Sequence, residues 1–155
     1  MDGRRVVVTG MGVVSPLGHT PAQMFDNLVA GKSGISRFEA FDSSAYDTRI
    51  AGEIRDLVVT DYIEPKEARR MDRFTQFGVI AAQKCVEDAG IDFGQCDRDR
   101  FGVVLGSGIG GMQVFEKECQ VLFERGPGRV SPLLILGKTA ETLVNGWLHT
   151  GDLAL

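Results

Sequence analysis

Cysteine, histidine and tryptophan are scarce in this 155-residue chain, at three, two and one. Cys85, Cys96 and Cys119 form no CxxC pair and are odd in number. That argues against a disulfide framework and fits a reducing compartment. Nor is there a basic excess. Seventeen Lys and Arg stand against 21 Asp and Glu, a formal charge of −4. General binding to nucleic acid or to an anionic membrane is therefore not expected, although a local basic patch remains compatible with that balance. No apolar run reaches the roughly 18 residues of a membrane helix, and MDGRRVVVTG has too few apolar residues for a signal peptide. The cytoplasm is the expected setting. Repeats and low-complexity segments are also lacking. What the chain does have is 43% hydrophobic residues and 20 glycines, the make-up of a globular protein. Its length suits one domain or a piece of a larger one, and a compact chain of this size would bury roughly 70% of its unfolded surface.

Periodicity alternates between two types. RRVVVTGMGVVS is β-branched and apolar, the pattern of a strand covered on both faces. Thr20 and Pro21 read as N-cap and first position of a helix that ends at Gly31. RIAGEI is expected to be a strand and PKEARRMDR a short exposed helix or turn. After Asp72, a candidate N-cap, small or apolar residues fall at Phe74, Phe77, Gly78, Ala81, Ala82, Cys85 and Ala89, up to Gly90. This stripe predicts an amphipathic helix. FGVVLG reads as a second buried strand, GSGIGG as a turn, and MQVFEKECQVLFERG as a helix stopped by Gly126 and Pro127. Strands alternating with helices predict an α/β layered fold.

Gly106, Gly108 and Gly111 satisfy GxGxxG between a strand and a helix. A dinucleotide site would also need a following strand ending in an acidic residue, and the chain runs into GPGRVSP instead. In TGMGVVS, Ser15 occupies the third glycine position. These glycines are better explained as tight turns or close backbone packing.

Taken in order, RRVVVTGMGVVSPLG, GKSGIS, FDSSAY, RRMDRFTQF, AGI, GSGIGG and GPGRVSPLL resemble the N-terminal half of a β-ketoacyl-acyl carrier protein synthase. The resemblance implies a partial thiolase-like fold, the N-terminal half of an α-β-α-β-α architecture, in a family whose intact members form homodimers. It implies acyl transfer followed by decarboxylating Claisen condensation, acyl carrier protein as partner, and no cofactor or metal. The family's cysteine nucleophile, paired histidines and lysine match no residue here, so no catalytic residue is assigned and the chain alone is expected to be inactive. Cys85 lies on the helical stripe and reads as packing. Cys96, in a charged loop, and Cys119, within a helix, have no local activating group. His19 and His149 read as ordinary polar surface residues.

Binding residues do carry over. Ile109 matches a residue lining the acyl pocket, and Leu133 and Leu134 match a pair near its mouth. Lys66, Arg69, Arg70 and Arg129 match positions that meet the acidic carrier protein. From the residues alone, Ile109 is equally an apolar turn residue packed in a core, and the four cations a solvated basic face.

Residues 137–155 differ. TAETLVNGWLHTGDLA resembles adenylate-forming acyl ligases, which implies that Asp152 would accept hydrogen bonds from two ribose hydroxyls. The rest of a ligase is absent, so ATP activation is not expected. Residues 1–136 are assigned to an incomplete ketosynthase half and 137–155 to a foreign tail outside its fold. The alternative is a divergent condensing enzyme with a mimicking tail. Two other functions stay open: a non-catalytic subunit that binds carrier protein or a condensing enzyme, and an acyl-adenylate ligase fragment.

Overall fold

The computed structural model describes residue 3 and residues 5–131. In chain order these form α1 (Pro21–Val29), β1 (Ser36–Arg37), β2 (Ile50–Ala51), α2 (Pro65–Ala68), α3 (Arg73–Ala89) and α4 (Met112–Arg125). They divide into two compact units. The first comprises residues up to Val58 with Ile80–Cys96, and the second Val59–Val79 with Asp97 onward.

In the first unit, the SPLG sequence closes a tight turn. Ser15 and Gly18 exchange two backbone hydrogen bonds of 3.1 Å, and the Ser15 hydroxyl donates to the Gly18 carbonyl. Gly18 sits at φ +140, a conformation that favours glycine. Thr20 is extended, and its hydroxyl accepts from the Gln23 N–H at 3.2 Å, which starts α1 with Pro21 as its first residue. Gly31, at φ +67, follows the end of the helix. Both ends of α1 are as the sequence predicts.

The sheet among the described residues is narrow. β1 and β2 pair antiparallel with Ser36 opposite Ala51 and Arg37 opposite Ile50, so RIAGEI contributes only two residues to a strand. Polar bonds extend the hairpin. The Glu53 carboxylate accepts from the N–H groups of Glu39 and Ala40 at 3.0 and 3.1 Å and is held by Arg55. Arg55 also donates to Glu39 and to the Arg37 carbonyl. Its guanidinium keeps the Glu53 carboxyl below its ordinary pKa, outweighing burial, which acts in the opposite direction. A carboxyl depressed on folding contributes stability that is full above its unfolded pKa and lost as pH falls through the folded value. The protection of the Glu39 and Ala40 amides, taken relative to their intrinsic exchange rates at each pH, should therefore fall only as pH drops below the usual carboxylate range. Glu53→Gln should abolish that step, and an unchanged profile in the variant would refute the linkage.

The two apolar runs expected to be strands do not form strands in the structure. Residues 5–14 and 101–106 have no ladder partner among the described residues. A strand exists only when neighbours satisfy its N–H and C=O groups, and a β-branched run meant for burial on both faces is left exposed without them. Val6 is 94% exposed and Val104 fully so. Among the described residues the chain is thus a partial domain of mixed helix and strand, consistent with a fragment of an α/β fold.

Of α3, Arg73–Val79 belongs to the second unit and Ile80–Ala89 to the first. The helix's only fully buried large side chain, Ile80, lies off the stripe read from the sequence. Gly10 and Gly12 allow the chain to approach α3 closely in the first unit. A Cβ on Gly12 would stand 1.9 Å from the Ala81 carbonyl oxygen, and one on Gly10 would stand 2.5 Å from that of Cys85. The Cys85 thiol donates to the Gly10 carbonyl at 3.3 Å, and the Asp88 carboxylate accepts the Met11 N–H at 2.8 Å. Among the described residues, Leu57 and Ile80 are the buried large or aliphatic side chains of this unit, and Ile63 and Ala68 those of the second.

Candidate functional site

Every described candidate binding residue falls in the second unit. α2 is built by local rules. The Glu64 side chain caps it by accepting the Lys66 N–H at 2.9 Å, Pro65 opens it, and Ala68 is buried beneath it. Lys66, Arg69 and Arg70 are exposed along this helix and the turn that follows. They lie within five residues of one another in sequence. Among the described residues, Arg70 pairs there with Glu67 at 3.7 Å between half-exposed side chains, a contact worth little energetically.

Arg129 is positioned by the end of α4. Gly126 leaves the helix at φ +79, and the turn Pro127–Arg129 carries Arg129 outward, exposed. On α4 the buried Glu118 carboxylate accepts the Ser131 N–H at 2.7 Å, pinning the chain just beyond Arg129. A buried carboxylate used in this way escapes sequence reading, because its partner lies 13 residues on.

Ile109 crowns the glycine turn. Gly110 is at φ +79 and donates its N–H to the Ser107 hydroxyl at 3.0 Å. Ile109 is 78% exposed, an apolar side chain displayed to solvent. Gly106 and Gly108 face open space. Unlike Gly10 and Gly12, they meet no neighbouring backbone among the described residues.

Asp72 joins these pieces. Only 6% exposed, it accepts the Arg73 N–H at 2.5 Å and the Val114 N–H at 3.0 Å. The sequence suggests an N-cap for α3, and the Asp72 carbonyl does accept the Gln76 N–H at 3.0 Å. Its side chain also reaches the first turn of α4, a contact invisible in the sequence. Around it lies a shallow pocket of about 220 Å3 whose walls include Arg73, Gln76, Gln113 and Lys117.

No described thiol faces an imidazole. His19 corrects its assignment as a plain surface residue. Its side chain is 17% exposed, its Nε2 lies 3.0 Å from an Asp56 carboxylate oxygen, and its buried Nδ1 has no partner. Cys85, Cys96 and Cys119 are free and half-buried. Among the described residues, no cluster of three or more His, Cys, Asp or Glu could hold a metal, and no helix is long and apolar enough to cross a membrane. Leu133, Leu134, His149 and Asp152 lie outside the described residues.

Comparison with known proteins identifies the class. The profile of the β-ketoacyl synthase N-terminal domain matches residues 3–146. The chain belongs to the β-ketoacyl synthase family. It is 44% identical over 134 residues to a 3-oxoacyl-[acyl-carrier-protein] synthase 2 of Staphylococcus aureus, covering 86% of this chain and 32% of that protein. The Vibrio cholerae enzyme of the same name is 42% identical over 155 residues, all of this chain and 36% of the relative. In backbone, the chain resembles a type II PKS ketosynthase solved in complex with its acyl-carrier protein, at a TM-score of 0.70 and 21% identity. That similarity covers 86% of this chain and 34% of the ketosynthase. The chain thus spans about a third of the length of the curated relatives it matches.

Proposed function

We propose that this chain carries the carrier-docking face and part of the acyl-pocket wall of a β-ketoacyl-acyl carrier protein synthase. The observation that carries this reading is the exposed basic surface at Lys66, Arg69 and Arg70 in a chain of net charge −4, within a family shown by its profile match. Such a face attracts an acidic protein through steering and through complementary charge. Arg129 extends the docking face. Ile109 supplies an apolar contact for the acyl chain, with Leu133 and Leu134 proposed beside it. The condensation itself needs a thiolate with preorganised donors for the oxyanion. Cys85, Cys96 and Cys119 have no such arrangement, so these cysteines do not serve as nucleophile. The thiolase-like layering, a homodimeric whole enzyme and a cytoplasmic setting belong to the same proposal.

We also propose that residues 137–155 are foreign to this fold. The likeness to the ligase motif supports it. The profile match to residue 146 and the full-length Vibrio alignment weigh against it. Uninterrupted ketosynthase sequence in genomic DNA across codons 130–145 would remove it.

A binding titration tests the docking face. An acyl-loaded carrier protein should bind the chain in low salt, weaken as salt rises, and lose about tenfold or more in affinity to Lys66→Glu with Arg69→Glu and Arg70→Glu. Intact mass spectrometry of the same mixture should show no acyl group on cysteine. Equal affinity for the triple variant, or a stoichiometric acyl-cysteine, would overturn the reading.

A further inference from the structure

We propose that Asp72 is a positioning residue that holds the Ile109 turn in register with the basic turn at residues 66–70, so that a carrier seated on one is felt at the other; this rests on the docking reading above. Both oxygens of its buried carboxylate are committed, one to the Arg73 N–H and the other to the Val114 N–H. These donors belong to the first turns of α3 and α4, where backbone N–H groups have no acceptor within their own helix and the helix ends carry partial positive charge. A buried carboxylate is expected to have such partners, because its unpaired desolvation would be costly.

The bonds continue in both directions. Toward the basic turn, the Gln76 carboxamide donates to the carbonyls of Ala68 and Met71 at 2.9 and 3.4 Å, tying the end of α2 to the first turn of α3. Toward the glycine turn, the Phe115 N–H donates to the Gly111 carbonyl at 3.0 Å and the Met112 N–H to that of Gly110 at 3.2 Å. Gly110 is in turn bonded to Ser107. Packing does little for this turn, since Ile109 is largely exposed and Gly106 and Gly108 border open space. The bond from Asp72 to Val114 spans 42 residues of sequence and supplies the tie that packing does not.

Hydrogen exchange read by mass spectrometry with residue-level fragmentation, at micromolar protein, tests both parts. In the unmodified chain the Val114 amide should exchange at least about tenfold more slowly than that of Gln113, although neither has an acceptor within α4. Adding purified acyl carrier protein should slow exchange at residues 66–70 and also at 108–114. In Asp72→Asn the first effect should persist and the second should vanish, while α4 amides from Leu122 to Gly126 keep their protection. Equal exchange of Gln113 and Val114 overturns the positioning role, and this needs no variant to fold. Persistence of the carrier effect at 108–114 in Asp72→Asn overturns the coupling. No carrier effect at residues 66–70 in the unmodified chain sinks the docking reading and the coupling with it, while the Val114 comparison still decides the positioning role.

Discussion

Gly12→Ala should destabilise the first unit by at least about 3 kcal/mol, whereas Gly108→Ala should stay within about 0.5 kcal/mol. The added atom is the same, and the surroundings decide its cost. At Gly12 a Cβ would stand 1.9 Å from the Ala81 carbonyl oxygen and 2.7 Å from the Cys85 nitrogen, both main-chain atoms of α3. No rotamer change relieves a clash with backbone, so the chain must lift off the helix. Lifting would strain the Cys85 bond to Gly10 and the Asp88 bond to Met11. At Gly108 the Cβ meets nothing, and the residue is not among those at positive φ. Typical domains have only about 5–15 kcal/mol in total, so the Gly12 variant should lose a large share of the unit's stability. Urea titration followed by the protection of α3 amides from Ile80 to Ala89 measures it. A Gly12→Ala variant within 1 kcal/mol of the parent would mean that residues 10–12 do not lie against α3 as described.

The same pair of glycine turns shows what a sequence can and cannot reveal. Both TGMG and GSGIGG carry glycines that suit either tight turning or close packing. Nothing local says that Gly10 and Gly12 serve packing while Gly106 and Gly108 border open space. Elements fixed by neighbours along the chain were legible. Thr20, Pro21 and Gly31 bound α1 through local capping, and Gly126 with Pro127 stops α4. Elements fixed by distant groups were not. Residues 5–14 and 101–106 have the composition of buried strands, but pairing is a property of two segments, and no described segment supplies the partner. His19 seemed an isolated polar residue because Asp56 lies 37 positions away. Asp72 showed its local role as the start of α3 and concealed its bond to α4. The basic face and Ile109 were visible only through the family's motifs, since charge and hydropathy alone fit a solvated face and a packed turn equally well.

Self-association of the purified chain is the second large effect expected. Val6, Val7 and Val8 are 94%, 67% and 81% exposed in the first unit, and Val103, Val104 and Phe123 are 68%, 101% and 86% exposed in the second. Fully burying side chains of this kind is worth about 1.5–3 kcal/mol each. One valine cannot offset the roughly 4–15 kcal/mol lost in bringing two molecules together. Six such side chains, at about 9–18 kcal/mol in sum, can. The backbone of residues 5–9 and 102–106, which joins no ladder among the described residues, adds a template for strand pairing, the hazard of any apolar edge. At tens of micromolar the chain should therefore sediment as oligomers and bind a hydrophobic dye. Val6→Lys, Val8→Lys and Val104→Lys together should shift it toward monomer. Lysine at these positions retains the backbone groups but makes burial costly, so the variant separates side-chain burial from a general tendency to aggregate. A parent chain that sediments as a monomer and leaves the dye unbound would show that these valines are covered in solution.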